Sequence, residues 1–284
     1  MAAPAARWGL RSPPRRLVVW RAARSEASGI EPAGHILKLV QLTQQHRGLS
    51  ANLLGGNDAV KGDRDARQAA LDQLLPRAGQ SLGPLEAPAL QAEFETIGQE
   101  WSALSKAVSE RSINGPQSFA RHTALIERQL NLLEGVADAS GMSLDPHAHS
   151  YFLIQSVLVH LPRLTETLGQ TRAQGSLALN RGELGAAQRA QLAALTDLSR
   201  AHLRQARRSL DKAVNAEAAY GQALGSTAQQ AWQQADAAFA LTDQSLVQAE
   251  APSLAGSEYF TRMTGHIDAQ FTLVTAAFDQ LAAT

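Results

Sequence analysis

The stretch His35-Ile-Leu-Lys-Leu-Val-Gln-Leu-Thr-Gln-Gln-His-Arg-Gly-Leu-Ser-Ala-Asn-Leu-Leu-Gly-Gly56 decides the fold class. One row through it runs Ile36, Val40, Thr43, Arg47, Ser50 and Leu54, and a neighbouring row runs Leu39, Leu42, His46, Leu49 and Leu53. Steps of three and four residues bring side chains onto one face of an α-helix. Both rows begin and end apolar, so the face they share packs against a core. Gly55-Gly56-Asn57-Asp58 then supplies a stop, glycine being the residue that most easily leaves a helix. In the middle of the face, however, stand Thr43, His46, Arg47 and Ser50. An unpaired guanidinium on a packed face is costly, so something negative must meet Arg47. It is either a carboxylate from another helix or a bound anion.

Outward from this helix the same periodicity continues. From Ser25 on, apolar residues recur at helical steps, and no alternating run of β-branched residues appears. Breaks fall at Gly83-Pro84, Asn114-Gly115-Pro116, Ser140-Gly141-Met142, Arg181-Gly182, Gly225-Ser226-Thr227 and Ala251-Pro252. They predict helical segments over roughly 25–55, 59–80, 85–112, 117–140, 146–181, 186–221, 227–250 and 254–283. The fifth would be about 36 residues and near 54 Å long, with a kink at Pro162, whose missing N–H cannot reach Leu158. The last carries a core seam of Phe271, Val274, Phe278 and Leu281. The fold class is therefore all-α: an elongated antiparallel helical bundle, or two four-helix bundles stacked.

Composition narrows the chemistry. The 284 residues hold 26 Lys and Arg against 26 Asp and Glu, a balance that argues against nucleic acid as a partner. No cysteine is present, which removes disulfides, thiolate metal sites and a cysteine nucleophile. The sequence holds no Gly-x-Ser-x-Gly elbow, no phosphate loop and no His-Glu-x-x-His. We therefore expect neither enzymatic activity nor a cofactor. No stretch reaches the roughly 20 apolar residues of a membrane span. Residues 1–24 contain Arg7, Arg11, Arg15, Arg16, Arg21 and Arg24, with no acid before Glu26. They lack the apolar region of a secretory signal and read as a basic leader to a helical domain over 25–284. A transit peptide, a tail for an anionic surface, or a misassigned gene start would each look this way.

Three stretches offer ligand chemistry. In the first, Thr43, Gln44, Gln45, His46, Arg47 and Ser50 are all hydrogen-bond donors, and no acid occurs between Glu31 and Asp58. Donors without acceptors suit a small anion, which arginine can hold through two parallel bonds. In the second, Asp145 before Pro146 is suited to cap a helix, on which Tyr151 and Gln155 share a face. His147 and His149 stand beside it, but at a helix start their imidazoles point to different faces, and we expect no metal. In the third, Arg163 and Thr167 lie one turn apart beside Pro162 and could form a second wall of a pocket. A solvated face explains them as well.

The pattern Gln41-x-x-Gln44-x-His46-Arg47-Gly48-x-Ser50 with Leu54-Gly55 resembles the first-helix motif of nitrate/nitrite-sensing-type helical sensor domains. The stretches Leu144-Asp145-Pro146, Ser150-Tyr151-Phe152-Leu153 and Leu161-Pro162-Arg163-Leu164-x-Glu166-x-Leu168-Gly169 resemble the second half of such domains in bacterial methyl-accepting chemotaxis receptors. The resemblance implies the ligand-sensing region of a transmembrane chemotaxis receptor, placed at the periplasmic face of the inner membrane. It also implies a homodimer and a small anion as ligand, either nitrate, nitrite or an organic acid. Arg47 would be the anion-binding arginine, with Gln44 and Ser50 beside it. The flanking membrane spans and the output module of such receptors do not occur in this sequence. Histidine kinases and cyclic-dinucleotide enzymes carry similar sensors. A helical scaffold protein is the alternative, and the two separate on Arg47. A sensor would show a pocket there without an acidic partner, and a scaffold would show Arg47 bonded to Asp or Glu.

Overall fold

Apolar residues at helical spacing leave each segment with one face to bury, and antiparallel pairing of successive helices buries it. A computed structural model describes residues 15–182, 184–251 and 254–283, with side chains from Glu26 onward. Residues 1–14 of the basic leader lie outside the described residues. Helix α1 (Arg15–Leu54) pairs with α2 (Lys61–Ser81), α3 (Pro88–Ser109) and α4 (Gly115–Ser140) in a first four-helix bundle. Helix α5 (Ala148–Ile154) runs through a π-helical turn, Gln155–His160, into α6 (Leu161–Arg181). Together with α7 (Ala186–Ala216), α8 (Ala218–Thr242) and α9 (Gly256–Ala282), it forms a second bundle. No strand occurs among the described residues. The fold is all-α, and of the two expected arrangements it is the one with two four-helix bundles.

Side-chain bonds fix the antiparallel registers. Trp101 donates to Asp72 across α2 and α3 (2.7 Å), and Ser199 donates to Thr167 across α7 and α6 (2.8 Å). Gln270 reaches the Ala231 carbonyl across α9 and α8 (2.7 Å). The bundles meet along α1, α6 and α9. There Phe278 of α9 packs on Gly34 of α1, where a Cβ would come within 2.9 Å of the ring. The expected α9 seam is real: Phe271, Val274 and Leu281 are buried, and Phe278 packs at its edge. Because α1 serves both bundles, it is buried around most of its circumference between Ala33 and Leu53. Its two predicted rows are both core-facing, and they face different neighbours.

Two local expectations need correction, and the irregularity expected at Pro162 takes a particular form. The sixth and seventh segments break at Glu217, not at Gly225-Ser226-Thr227. Glu217 has extended backbone, and its carboxylate accepts from the Ala219 N–H (3.2 Å) to cap α8, which then runs straight through Gly225. A capping carboxylate outweighs the cost of an interior glycine, about 1 kcal/mol. Near Pro162 the chain widens into the π-helical turn that precedes it, and the Leu161 N–H reaches back to the Ser156 carbonyl. Widening by one residue accommodates the proline ring and its missing donor. Finally, Asp145 accepts from the His147 N–H (2.8 Å) in a turn before α5, so it organises the approach to the helix and not the helix start.

Candidate functional site

Helix α1 carries two buried polar layers, one on each side. The first faces α4, inside the first bundle. Thr43 donates to the Leu39 carbonyl (2.7 Å) and accepts from Gln129 (3.0 Å). One turn on, His46 Nδ1 meets His122 Nε2 at 2.8 Å. The Ser118 carbonyl lies 2.7 Å from His122 Nδ1 and can only accept, so that nitrogen carries the proton. His122 Nε2 then accepts from His46 Nδ1–H, which Ser50 Oγ also approaches at 3.2 Å. Trp101 meets the His46 ring edge-on, with centroids 4.8 Å apart. Burial is the largest influence on both imidazoles, lowering His46 to about 2 and His122 to about 3, so both are neutral.

The second layer lies between the bundles, where α1 crosses α6 and α9, and it is charged. Arg47 donates through Nη1 and Nη2 to the two Glu166 carboxylate oxygens (2.6 and 3.0 Å) and through Nη1 to the Thr123 hydroxyl (2.9 Å). Both partners of the pair are buried, and the guanidinium lies over the Phe119 ring, 5.3 Å from its centroid. Gln170 donates a further bond to Glu166 (2.9 Å). Two turns from Glu166 on α6 is a second buried arginine, Arg172, 4 % exposed. It donates to the Thr264 hydroxyl of α9 (2.9 Å), reaches the Gln44 carbonyl at 3.5 Å, and stacks on Phe260, 4.6 Å from the ring centroid. Among the described residues no carboxylate comes within 4 Å of it. Burial and the neighbouring Arg47 charge lower its pKa to about 10, which leaves it a cation at neutral pH.

Two glycines make the crossing possible. A Cβ on Gly169 of α6 would stand 2.8 Å from Arg47 Nη2, and one on Gly48 of α1 would stand 3.1 Å from Arg172 Nη2. Each helix thus lays its arginine over the other's glycine. Gln44 donates to Thr165 (3.3 Å), while its Oε1 and the Nε atoms of both arginines have no partner. A cavity of about 470 Å³ opens beside this layer. Ala51, Phe119 and Ala173 line it, so the ring under Arg47 is also a cavity wall.

The expected site residues divide. Gln44 and Arg47 lie in the layer between the bundles, whereas Thr43, His46 and Ser50 belong to the neutral layer facing α4. Arg163 pairs with Glu134 (2.8 Å) and Glu127 (3.4 Å) of α4. Thr167 turns toward Ser199 of α7. Tyr151 packs on Phe152, and Gln155 opens the π-helical turn, so neither reaches Arg47. His147 bonds Asp145 (3.1 Å), and no group of three metal-binding side chains gathers among the described residues. Sequence reasoning passed over Glu166, Arg172, Phe260 and Thr264. Glu166, Gly169 and Arg172 are spaced by three on a helix that buries Leu161, Leu164, Leu168 and Leu179. That is the same signal, a charge beside glycine on a core face, that Arg47-Gly48 gives on α1.

The chain thus folds, over its described residues, into two four-helix bundles closed over a buried charged layer. It belongs to the family described as nitrate and nitrite sensing, which it matches over residues 38–282. Among solved structures, that of the NasR transcription antiterminator shares the fold with a TM-score of 0.73 and 20 % identity. The likeness covers 95 % of this chain and 71 % of that one. No curated protein matches the chain in sequence. No helix among the described residues is long and apolar enough to cross a membrane.

Proposed function

We propose that the chain senses nitrate or nitrite by holding the anion in the charged layer between α1, α6 and α9, with Arg172 as its principal ligand. The observation that carries this reading is a buried guanidinium bonded to a hydroxyl and a carbonyl, with no carboxylate at hand. Arg47 is bonded to Glu166, so taken alone it satisfies the scaffold criterion, and the unneutralised charge stands at Arg172 instead. Membership of the nitrate and nitrite sensing family supports this choice of anion.

Transmission follows from the fold. Phe278 near the end of α9 meets Gly34 of α1, and Phe260 near its start meets Gly48. The two helices are therefore antiparallel, with the start of α1 and the end of α9 at one end of the molecule. An anion touching α1, α6 and α9 together stabilises one relative placement of these helices, shifting a population of states. In a transmembrane chemotaxis receptor, a homodimer with this region in the periplasm, that shift would pass through α1 and α9 to the membrane. The NasR likeness over 95 % of the chain favours a second reading, in which the same shift drives a transcription antiterminator. Fractionation of cells expressing the native gene separates the two, the product sedimenting with membranes in the first and staying soluble in the second.

Binding is tested by thermal unfolding with sodium nitrate and sodium nitrite, on the chain and on Arg172→Met. An anion at about 100 times its Kd adds roughly 2.7 kcal/mol, or about 5–10 °C in a domain of this size. We expect that shift in the parent chain and none in the variant. A parent chain that ignores both anions at millimolar concentration would sink the reading.

A further inference from the structure

The charged layer has a countable composition. Arg47 and Arg172 bring two positive charges, and Glu166, accepting both Arg47 bonds as a carboxylate, brings one negative. The layer therefore carries one net positive charge, taken out of water. Asp268 of α9 also acts on Arg172, but its side chain is solvent-exposed and lies outside the buried layer. A single monovalent anion beside Arg172 brings the buried charge to zero, whereas a divalent anion leaves an unpaired negative charge facing Glu166. Uncompensated charge in a desolvated site is what proteins tolerate least.

We propose that Glu166 is the residue that restricts this site to monovalent anions. It acts without touching the ligand. By cancelling Arg47 it sets the charge the ligand must neutralise, and it repels the second charge of sulfate or a dicarboxylate. Its placement supports the role. Arg47 fixes both oxygens and Gln170 holds one of them (2.9 Å), so the carboxylate cannot swing away when a dianion approaches. Sulfate and nitrate are both small oxyanions, and net charge is the property on which they differ most sharply.

The inference rests on the anion-binding reading, and calorimetric titration of the same protein with sodium nitrate and sodium sulfate tests both. The parent chain should bind nitrate and show no sulfate heat. Glu166→Gln raises the layer to two net positive charges and should bind both anions. The sulfate-to-nitrate affinity ratio should rise by at least about tenfold, because each added charge acts twice on a dianion. Glu166→Asp keeps the charge while changing the shape and should keep the parent preference. If Glu166→Gln shows no cooperative melt, the double variant Arg47→Gln with Glu166→Gln carries the test. Arg172 is then the one remaining charge, and the monovalent preference should persist. A Glu166→Gln ratio within about twofold of the parent, or sulfate binding by the double variant, would overturn the role of Glu166 while leaving nitrate binding intact. A parent chain that gives no nitrate heat would overturn the anion reading itself.

Discussion

The two polar layers on α1 sit one residue apart in sequence, at His46 and Arg47, and solve opposite problems. The layer facing α4 is neutral, and each of its histidine N–H groups finds an acceptor. His46 gives its one proton to His122, which gives its own to a backbone carbonyl, and burial keeps both rings uncharged. The layer facing α6 and α9 is charged and left open by one unit, with Arg172 stacked on a ring and bonded to neutral groups. Neutral, tied-off polar groups fix which helices pair and in what register. An unbalanced buried charge lowers stability, and it persists where a ligand completes it. The contrast suits the first layer to structure and the second to the proposed sensing role.

Substitutions should break this contrast unequally. Arg47→Ala leaves the Glu166 carboxylate buried and unpaired, which costs about 3–5 kcal/mol. The melting temperature, followed by circular dichroism, should fall on the order of 10 °C. His122→Ala strands the His46 donor and opens a cavity inside the first bundle. Urea unfolding should show a loss of about 2–3 kcal/mol, while nitrate binding by the folded protein remains.

Acidification acts on the same layer. Both imidazoles have folded pKa values far below the unfolded value of about 6.5, so the unfolded chain takes up protons first. Their contribution is complete above pH 6.5 and is lost as pH falls from there toward about 3 and 2. Each ring costs about 1.4 kcal/mol per unit of pH below 6.5. The urea midpoint should fall from pH 7.5 to 5.5, and fall less in His122→Ala. The smallest change in stability is expected for Arg172→Met, within about 1 kcal/mol of the parent and of either sign, since an apolar side chain replaces an uncompensated buried charge. A large loss of stability in that variant would mean that Arg172 is paired after all, and the contrast between the layers would collapse.

Much of this was legible beforehand. Ile36 to Leu54 showed the helix and its polar break, and the spacing of Phe271, Val274 and Phe278 showed the last core seam. At Arg47 the sequence left two partners open, because the acid that meets it comes from α6, 119 residues away. Periodicity along one helix carries no information about which other helix crosses it. The same limit sent Arg163 and Thr167 to the wrong wall: they lie on α6 with Glu166 and Arg172, but on faces that meet α4 and α7. The Glu217 break was hidden because glycine in Gly225-Ser226-Thr227 is the stronger local signal, while capping by a carboxylate depends on backbone geometry that composition does not reveal.

The position of α1 also sets an order of events on the ribosome. Arg47 leaves the tunnel long before its counter-ion does, since 119 residues separate it from Glu166. At typical rates of synthesis that interval is roughly 6–24 s. During this time the first bundle can assemble on the His46 side of α1, while the Arg47 side stays uncovered and must keep its charge in water. The neutral layer is therefore built from the first half of the chain alone, and the charged layer closes only when α6 and then α9 arrive. A nascent chain stalled before α6 would hold a folded first bundle with one wet, basic seam.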